Sequence, residues 1–545
     1  MSENKDKTKI HMTCENGVWT RFFEPPSDTW RTFGQTLLEG MKRVPKHVGQ
    51  IDGLTGEEDT YGSMTDRAVR CALFLRKSGV KPGDFIGIST HNHLDTFVPV
   101  LAAILTGVIF HPWWDVNLDD DMVKYFLELG EPKVMFVNEK VSGITQRVID
   151  NLGTSTKVVV FGDSPGRTSL HQVLKEQDPE DVINFKCTII EDIEQPGVMI
   201  CTSGSTGYPK GVLHSYGWLE KASHIAPDKY VVNSIILWFS EISWISAIGS
   251  TISLLRNRST AVIYSRPTVE VFCQLVERFK INCLVISTGT ANHLYKLKNI
   301  GEYDFSSVRY VIFGGGGINR EVDDNMRKIF PTADLNFGYG MTELGVIVRR
   351  EDSPEKLCCC GKVRENCQIK IVDIDSGDTL GTNKEGEIYL KSPYMILRYH
   401  KDPNSTAESI DTQGWYHSGD FGYIDKDGDL FVIDRLKEFI KYKIIMPVAP
   451  LVVEKIILDH PNVVEAGVVG KPDLIDLELP MAFITTRPGS NVTEEEIMKH
   501  VEENLPDHMR LRGGVKILDK MPMTPSGKIQ KKILREMAKS LATAP

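Results

Sequence analysis

Residues 197–211 read G-V-M-I-C-T-S-G-S-T-G-Y-P-K-G. The apolar run 198–201 predicts a buried strand. It gives way to Thr202, Ser203, Gly204, Ser205, Thr206 and Gly207, then Tyr208, Pro209 and Lys210. Glycines admit positive φ and let backbone N–H groups close on a ligand. Hydroxyls donate to anionic oxygens, and a lysine adds a mobile point charge. A strand delivering all three at once predicts a polyphosphate cradle, not a plain Ser/Gly linker. It is not a Walker A loop, because Val212 follows Gly211 and no G-x-x-x-x-G-K-[ST] can be read.

A chain of 545 residues exceeds one core, so several subdomains are expected. Its net charge of −10 lacks the basic footprint of a nucleic-acid binder. The ten cysteines form no C-x-x-C pair. Cys358, Cys359, Cys360 and Cys367 lack zinc spacing and are expected as reduced thiols on a strand. The polar start is not a signal peptide, and the sequons at Asn257, Asn404 and Asn491 are then chance. No run is long enough for a membrane span, and the end is not Ser-Lys-Leu, so the expected location is cytoplasmic.

Helical spacing over 61–80, a turn at 81–84 and a strand at 85–89 open the chain. The uncharged stretch 97–110 predicts a buried helix. His91 and His93 have no carboxylate beside them and predict a loop. Strands at 134–137 and 158–161 continue an alternation that implies parallel sheets covered by helices on both faces. The apolar, aromatic segment 234–255 carries Trp238, Phe239 and Trp244. A strand at 311–313 runs into Gly314, Gly315, Gly316 and Gly317, an edge without side chains against which a flat ring can lie. Residues 369–390 predict a small antiparallel unit. The D-K-D-G-D run at 425–429 starts like a calcium loop, but Lys437 stands where the closing glutamate belongs, so a turn is expected. Helices at 454–460 and 494–505 with strands at 466–469 and 482–485 predict a compact α+β unit at the end. Lys531, Lys532 and Arg535 are expected on a solvated helix face.

The stretch T-S-G-S-T-G-Y-P-K-G resembles the phosphate loop of the adenylate-forming enzymes: acyl-CoA synthetases, coumarate-type CoA ligases, peptide-synthetase adenylation domains and beetle luciferases. Four further segments match in order: 337–343 (F-G-Y-G-M-T-E), 414–420 (G-W-Y-H-S-G-D), 434–437 (D-R-L-K) and 523–532, with Ser526, Gly527 and Lys528. The chain is most similar to insect luciferase-like acyl-CoA ligases. The resemblance implies an α/β fold. A large N-terminal domain (1–434) comprises two packed α/β subdomains and a small β-barrel. A small mobile α+β C-terminal domain (435–545) follows.

The resemblance also implies roles. Thr202, Ser203, Gly204, Ser205, Thr206, Gly207 and Lys210 would hold phosphates. Gly315, Gly316, Gly317, Gly338, Tyr339 and Gly340 would take adenine, with Tyr339 stacking on it. Asp420 would accept the ribose hydroxyls and Arg435 would reach ribose or phosphate. Thr342 would contact the α-phosphate, and Glu343 would hold Mg²⁺. Lys437 would be the hinge, Lys528 the catalytic lysine and Lys441 its counterpart for the second step. Trp244 and Gly314 would line the acyl pocket. The implied cosubstrates are ATP, a carboxylic acid and coenzyme A. The chain departs from the family after Lys443, where Ile444 replaces a glycine and one residue is added. Three outcomes stay open: a CoA ligase for a fatty or aryl acid, with weak luciferase activity; a luciferase-type monooxygenase; and a silent acyl or nucleotide binder.

Overall fold

The computed structural model describes residues 12–21, 28–202, 208–224, 228–316, 320–350, 356, 359–443, 446–523 and 528–542. Two large sheets share one buried core. In the first, the strands Pro196–Thr202, Ile109–Trp113, Phe85–Ser89, Val134–Val137, Lys157–Val160 and Thr168–Ser169 run parallel, and Lys210–Ser215 and Arg398–Tyr399 add an antiparallel edge. In the second, Asp334–Met341, Tyr310–Gly314, Cys283–Ser287, Ile235–Trp238, Thr260–Ile263 and Val48–Asp52 run parallel. Strands such as Lys157–Val160 (KVVV), Cys283–Ser287 (CLVIS) and Val134–Val137 (VMFV) are apolar runs because both faces are covered.

Helices Phe33–Lys42, Tyr61–Lys77, Phe97–Thr106 and Ile245–Asn257 fill the space between the sheets. Every residue of Phe97–Thr106 is buried, and Gly107 at φ +75° closes that helix. The phenol of Tyr61 reaches across to the carbonyl of Leu254 (3.1 Å). Phe97–Thr106 is shorter than the 97–110 stretch because a strand, Ile109–Trp113, begins at Ile109.

The expected small barrel is a six-stranded antiparallel sheet running from Met12–Glu15 to Leu430–Arg435. It curls until Met12 and Trp19 pack on Gly428, where a Cβ would lie 2.0 Å from a Met12 methyl. The last unit is a five-stranded sheet around Leu477–Thr486, covered by Pro450–Leu458, Glu494–Asn504 and Lys531–Ala542. Among the described residues no helix is long and apolar enough to cross a membrane.

One expectation needs correction, and only in part, since the buried thiol Cys367 does open a strand, Cys367–Val372. Cys359 and Cys360 are buried free thiols, but they precede the strand Lys362–Val363 instead of lying on it; Cys358 is outside the described residues. The 425–429 turn forms, with Gly428 at φ +82°. Its three carboxylates close on an ammonium: Lys356 Nζ lies 2.8, 2.6 and 2.7 Å from Asp425, Asp427 and Asp429.

Candidate functional site

The strands Pro196–Thr202 and Lys210–Ser215 form a hairpin in which Thr202 faces Lys210. Ser203, Gly204, Ser205, Thr206 and Gly207 lie outside the described residues. The hairpin's return strand delivers Lys210, whose ammonium donates to Ser405 Oγ (2.5 Å) and sits 5.2 Å from the Tyr399 ring. Tyr208 stacks on Tyr125 at 4.5 Å.

The glycines of the second sheet are a packing requirement. Gly314 and Gly338 are register partners, and a Cβ on Gly314 would meet the Gly338 carbonyl at 2.3 Å. A Cβ on Gly340 would meet the Gly345 carbonyl at 2.1 Å. Gly315, at φ +80°, borders open space, and Gly316 faces Thr288. Gly317 lies outside the described residues. Trp244 is half-buried ahead of helix Ile245–Asn257, beyond the C-terminal end of a parallel strand of the same sheet as Gly314. Open α/β sheets bind ligands at that edge.

Tyr339 lies two residues before the end of the strand Asp334–Met341 and donates its phenol to Asp420 Oδ2 (2.6 Å). Asp420, buried, receives Arg435 Nε on Oδ1 (3.0 Å) from the paired strand. Burial and then the Asp420 carboxylate hold the Tyr339 phenol far above the usual tyrosine range. Thr342 and Glu343 occupy the turn after that strand. The Thr342 carbonyl accepts from His214 Nε2 (2.7 Å). Burial pulls His214 down to about 4, so its ring is neutral at pH 7. Glu343 Oε1 accepts from Tyr399 OH (2.8 Å), which lies 3.1 Å from Tyr416 OH.

Lys528 enters from the C-terminal unit. Surrounding protein, and then the Arg435 charge, hold its ammonium below the usual lysine range, while Asp420 and Glu343 oppose the shift. Solvent still reaches Lys528, Arg435 and Lys437, so the cleft is open to a ligand. Lys437 is lowered by desolvation and then by Arg435, with Lys210 also acting on it. Lys210, Arg435 and Asp420 act electrostatically on Lys437, and Arg435, Asp420 and Glu343 on Lys528, so these charges are neighbours. Four cations against two carboxylates favour a polyanion. Lys441 does not join them. It is exposed on the strand Ile440–Tyr442, its backbone N–H donating to Glu478 (2.8 Å). Ile444 lies outside the described residues.

Tyr399, His214 and Ser405 support the site from outside any motif that the sequence reading used, and Tyr416 lies in the 414–420 segment without having been given a role. The solvated face expected of helix Lys531–Ala542 is not observed at Lys531, while Arg535 keeps 40% of its side chain exposed. Lys531 Nζ pairs with buried Glu454 (2.7 Å), and Arg535 pairs with Glu438; Lys532 is exposed as expected. A second polar cluster also went unread. Arg266 joins Asp115 (2.5 Å) to Glu241, and His91 Nδ1 lies 3.2 Å from Asp115 Oδ2. Burial alone would raise Asp115; the bonds from His91 and Arg266 outweigh it and bring it to about 2.

Family models for "AMP-binding enzyme" and "AMP-binding enzyme C-terminal domain" match residues 40–400 and 452–528. The chain is 30% identical to a luciferin 4-monooxygenase of Luciola mingrelica, covering 90% of this chain and 91% of that one. It is 30% identical to the 4-coumarate–CoA ligase CCL1 of Humulus lupulus, covering 89% and 90%. The fold matches an anthranilate CoA ligase, AuaEII, solved with anthranoyl-AMP, at TM-score 0.85 and 21% identity over 94% of this chain and 98% of that one. With both family models matched in order along one chain that carries this cleft, the protein belongs to the AMP-binding enzyme family.

Proposed function

We propose that the protein joins a fatty or aryl carboxylic acid to AMP at the expense of ATP and then transfers the acyl group to coenzyme A. The observation that carries this reading is Lys528, delivered by a separate unit to Asp420, Arg435 and Glu343. The substrate carboxylate is the nucleophile. One of its oxygens bonds the α-phosphorus while the bond to the pyrophosphate oxygen breaks. The protein positions and neutralises charge, as in phosphoryl transfer generally. Lys528 stabilises charge shared by the carboxylate and the α-phosphate. Lys210 and the Thr202–Gly207 loop hold the departing pyrophosphate, Asp420 the ribose, and Tyr339 the base.

Mg²⁺ fits Glu343, a hard carboxylate bonded to Tyr399, whose ring lies 5.2 Å from the Lys210 ammonium. Among the described residues no set of three or more His, Cys, Asp or Glu gathers round a point there. This suits an ion that keeps water and substrate oxygens as ligands. Bound there, it would neutralise phosphate charge.

In the second step the CoA sulfur bonds the acyl carbon, AMP leaves, and the thiol proton passes to solvent. Residues 435–545 turn about Lys437, withdrawing Lys528 and bringing in Lys441 and the loop behind it. Isoleucine where the family has glycine at position 444 would fill space in a backbone-lined channel and slow this step, unless the added residue lets the loop bulge outward and keeps the channel open. A longer-lived adenylate would be open to oxidation by O₂, and the Luciola relative is named a luciferin 4-monooxygenase. The test is a pyrophosphate-release screen over fatty and aryl acids, with and without CoA, followed by thioester and light detection. Release with no acid at all would remove the reading. Light without thioester would replace it with the monooxygenase, and nucleotide binding without release would leave a silent binder.

A further inference from the structure

The helix Thr288–Lys296 belongs to the nine-stranded half of the molecule, yet its last turn grips the C-terminal unit. Lys296 is buried, at 7% exposure. Its ammonium donates to the Val463 carbonyl at 2.5 Å and lies 3.5 Å from that of Val464. Asn292 Nδ2 donates to the Val464 carbonyl at 2.9 Å. His293 Nε2 lies 3.6 Å from Glu465 Oε1. All three meet the first residues of the strand Val463–Asp473. At the other end of the helix, Thr288 Oγ1 lies 2.5 Å from where a Cβ on Gly316 would stand. One helix of nine residues, about 13.5 Å long at 1.5 Å per residue, therefore runs from the glycine turn of the candidate site to the docked C-terminal unit.

A buried ammonium must be compensated by hydrogen bonds. Here two of its acceptors are backbone carbonyls of a unit that presents them only in this docking. On the hinge side the Leu451 N–H donates to Asp434 Oδ2 (2.6 Å), a further bond across the same boundary. The Arg535–Glu438 pair lies beyond Lys437 and travels with the C-terminal unit. We propose that Lys296, assisted by Asn292, is a positioning residue that holds the C-terminal unit in the orientation presenting Lys528 to Glu343, Asp420 and Arg435. The consequence for the reaction rests on the two-step reading above. The docking itself does not.

Lys296→Met keeps the packing volume and removes the donor; Asn292→Ala removes the second bond from a half-buried position where folding is not at stake. The first measurement is amide hydrogen exchange on the full chain. Loss of a hydrogen bond to a charged group raises exchange of residues 463–470 and of the helix roughly ten- to a hundredfold in Lys296→Met, and less in Asn292→Ala. The second measurement is the ratio of thioester formation from supplied acyl-adenylate to pyrophosphate release. Each rate scales with the population of its own orientation, so the ratio rises by the same factor whichever orientation dominates. Unchanged exchange overturns the docking role. Raised exchange with an unchanged ratio overturns the positioning role. If the wild type releases no pyrophosphate with any acid, the two-step reading fails separately and exchange alone decides whether Lys296 holds the unit.

Discussion

At the scale of single residues, charge placement governs the site. Lys528→Ala is expected to slow adenylate formation about 10²- to 10³-fold, the usual cost of losing one preorganised donor, with folding unaffected. Wild-type pyrophosphate release by the purified variant would dismiss that role. The lowered Lys528 also fixes a pH dependence. Below its folded pKa the ammonium is charged and active; as pH rises through that value it loses its proton and the rate falls. The alkaline limb should therefore begin below the ordinary lysine value of 10.5. Lys528→Arg should move that limb upward, measured as initial rates from pH 7 to 11. Asp420→Ala strips Tyr339 and Arg435 of their shared acceptor. Losing hydrogen bonds to a charged acceptor, at about 1.5–3 kcal/mol each, should weaken ATP binding at least tenfold by calorimetry. Tyr339→Phe should cost less.

At the scale of elements, backbone contact is the constraint. Gly314→Ala drives a Cβ into the Gly338 carbonyl, so the two strands must part. Gly315→Ala meets open space and carries only its positive φ. The first should therefore destabilise the fold by several-fold more than the second, whose strain is about 1 kcal/mol, read from urea midpoints. In the fully buried helix, Leu101→Ala should cost about 2–5 kcal/mol. The sequence showed these elements well where one pattern decides them. The apolar runs at 134–137 and 198–201 are strands, and the turn at Gly428 forms. It failed where a partner decides. Lys531 looks like any surface lysine until Glu454, 77 positions earlier, is folded against it. Tyr399 looks like core until Glu343 is placed beside its hydroxyl.

At the scale of the molecule, buried neutral histidines tie stability to pH. Burial draws His93 and His214 to about 4 and His111 to about 3, against 6.5 when unfolded. Between those values the unfolded chain binds more protons than the folded one. Stability is thus full above pH 6.5 and is lost as pH falls toward 4, at up to about 1.4 kcal/mol per pH unit for each histidine. Urea midpoints at pH 7 and pH 5 check the sign. The motif order announced a family whose two models match the chain in sequence, residues 40–400 and then 452–528. It did not announce how the halves sit, because Lys296 and Asn292 act through backbone carbonyls that carry no side-chain signature.

The covalent link between the halves is short, running from Arg435 through the single turn Leu436–Glu438 to Ile440. In binding terms, the C-terminal half is a ligand on a tether. A short tether supplies an effective concentration on the order of millimolar, far above that of any enzyme in dilute solution. A handful of bonds at the boundary can therefore be weak enough to release between steps and still be made most of the time. A protease site placed at Leu436 and cut after folding should leave activity intact in concentrated solution and abolish it on dilution, while the uncut chain keeps a constant specific activity.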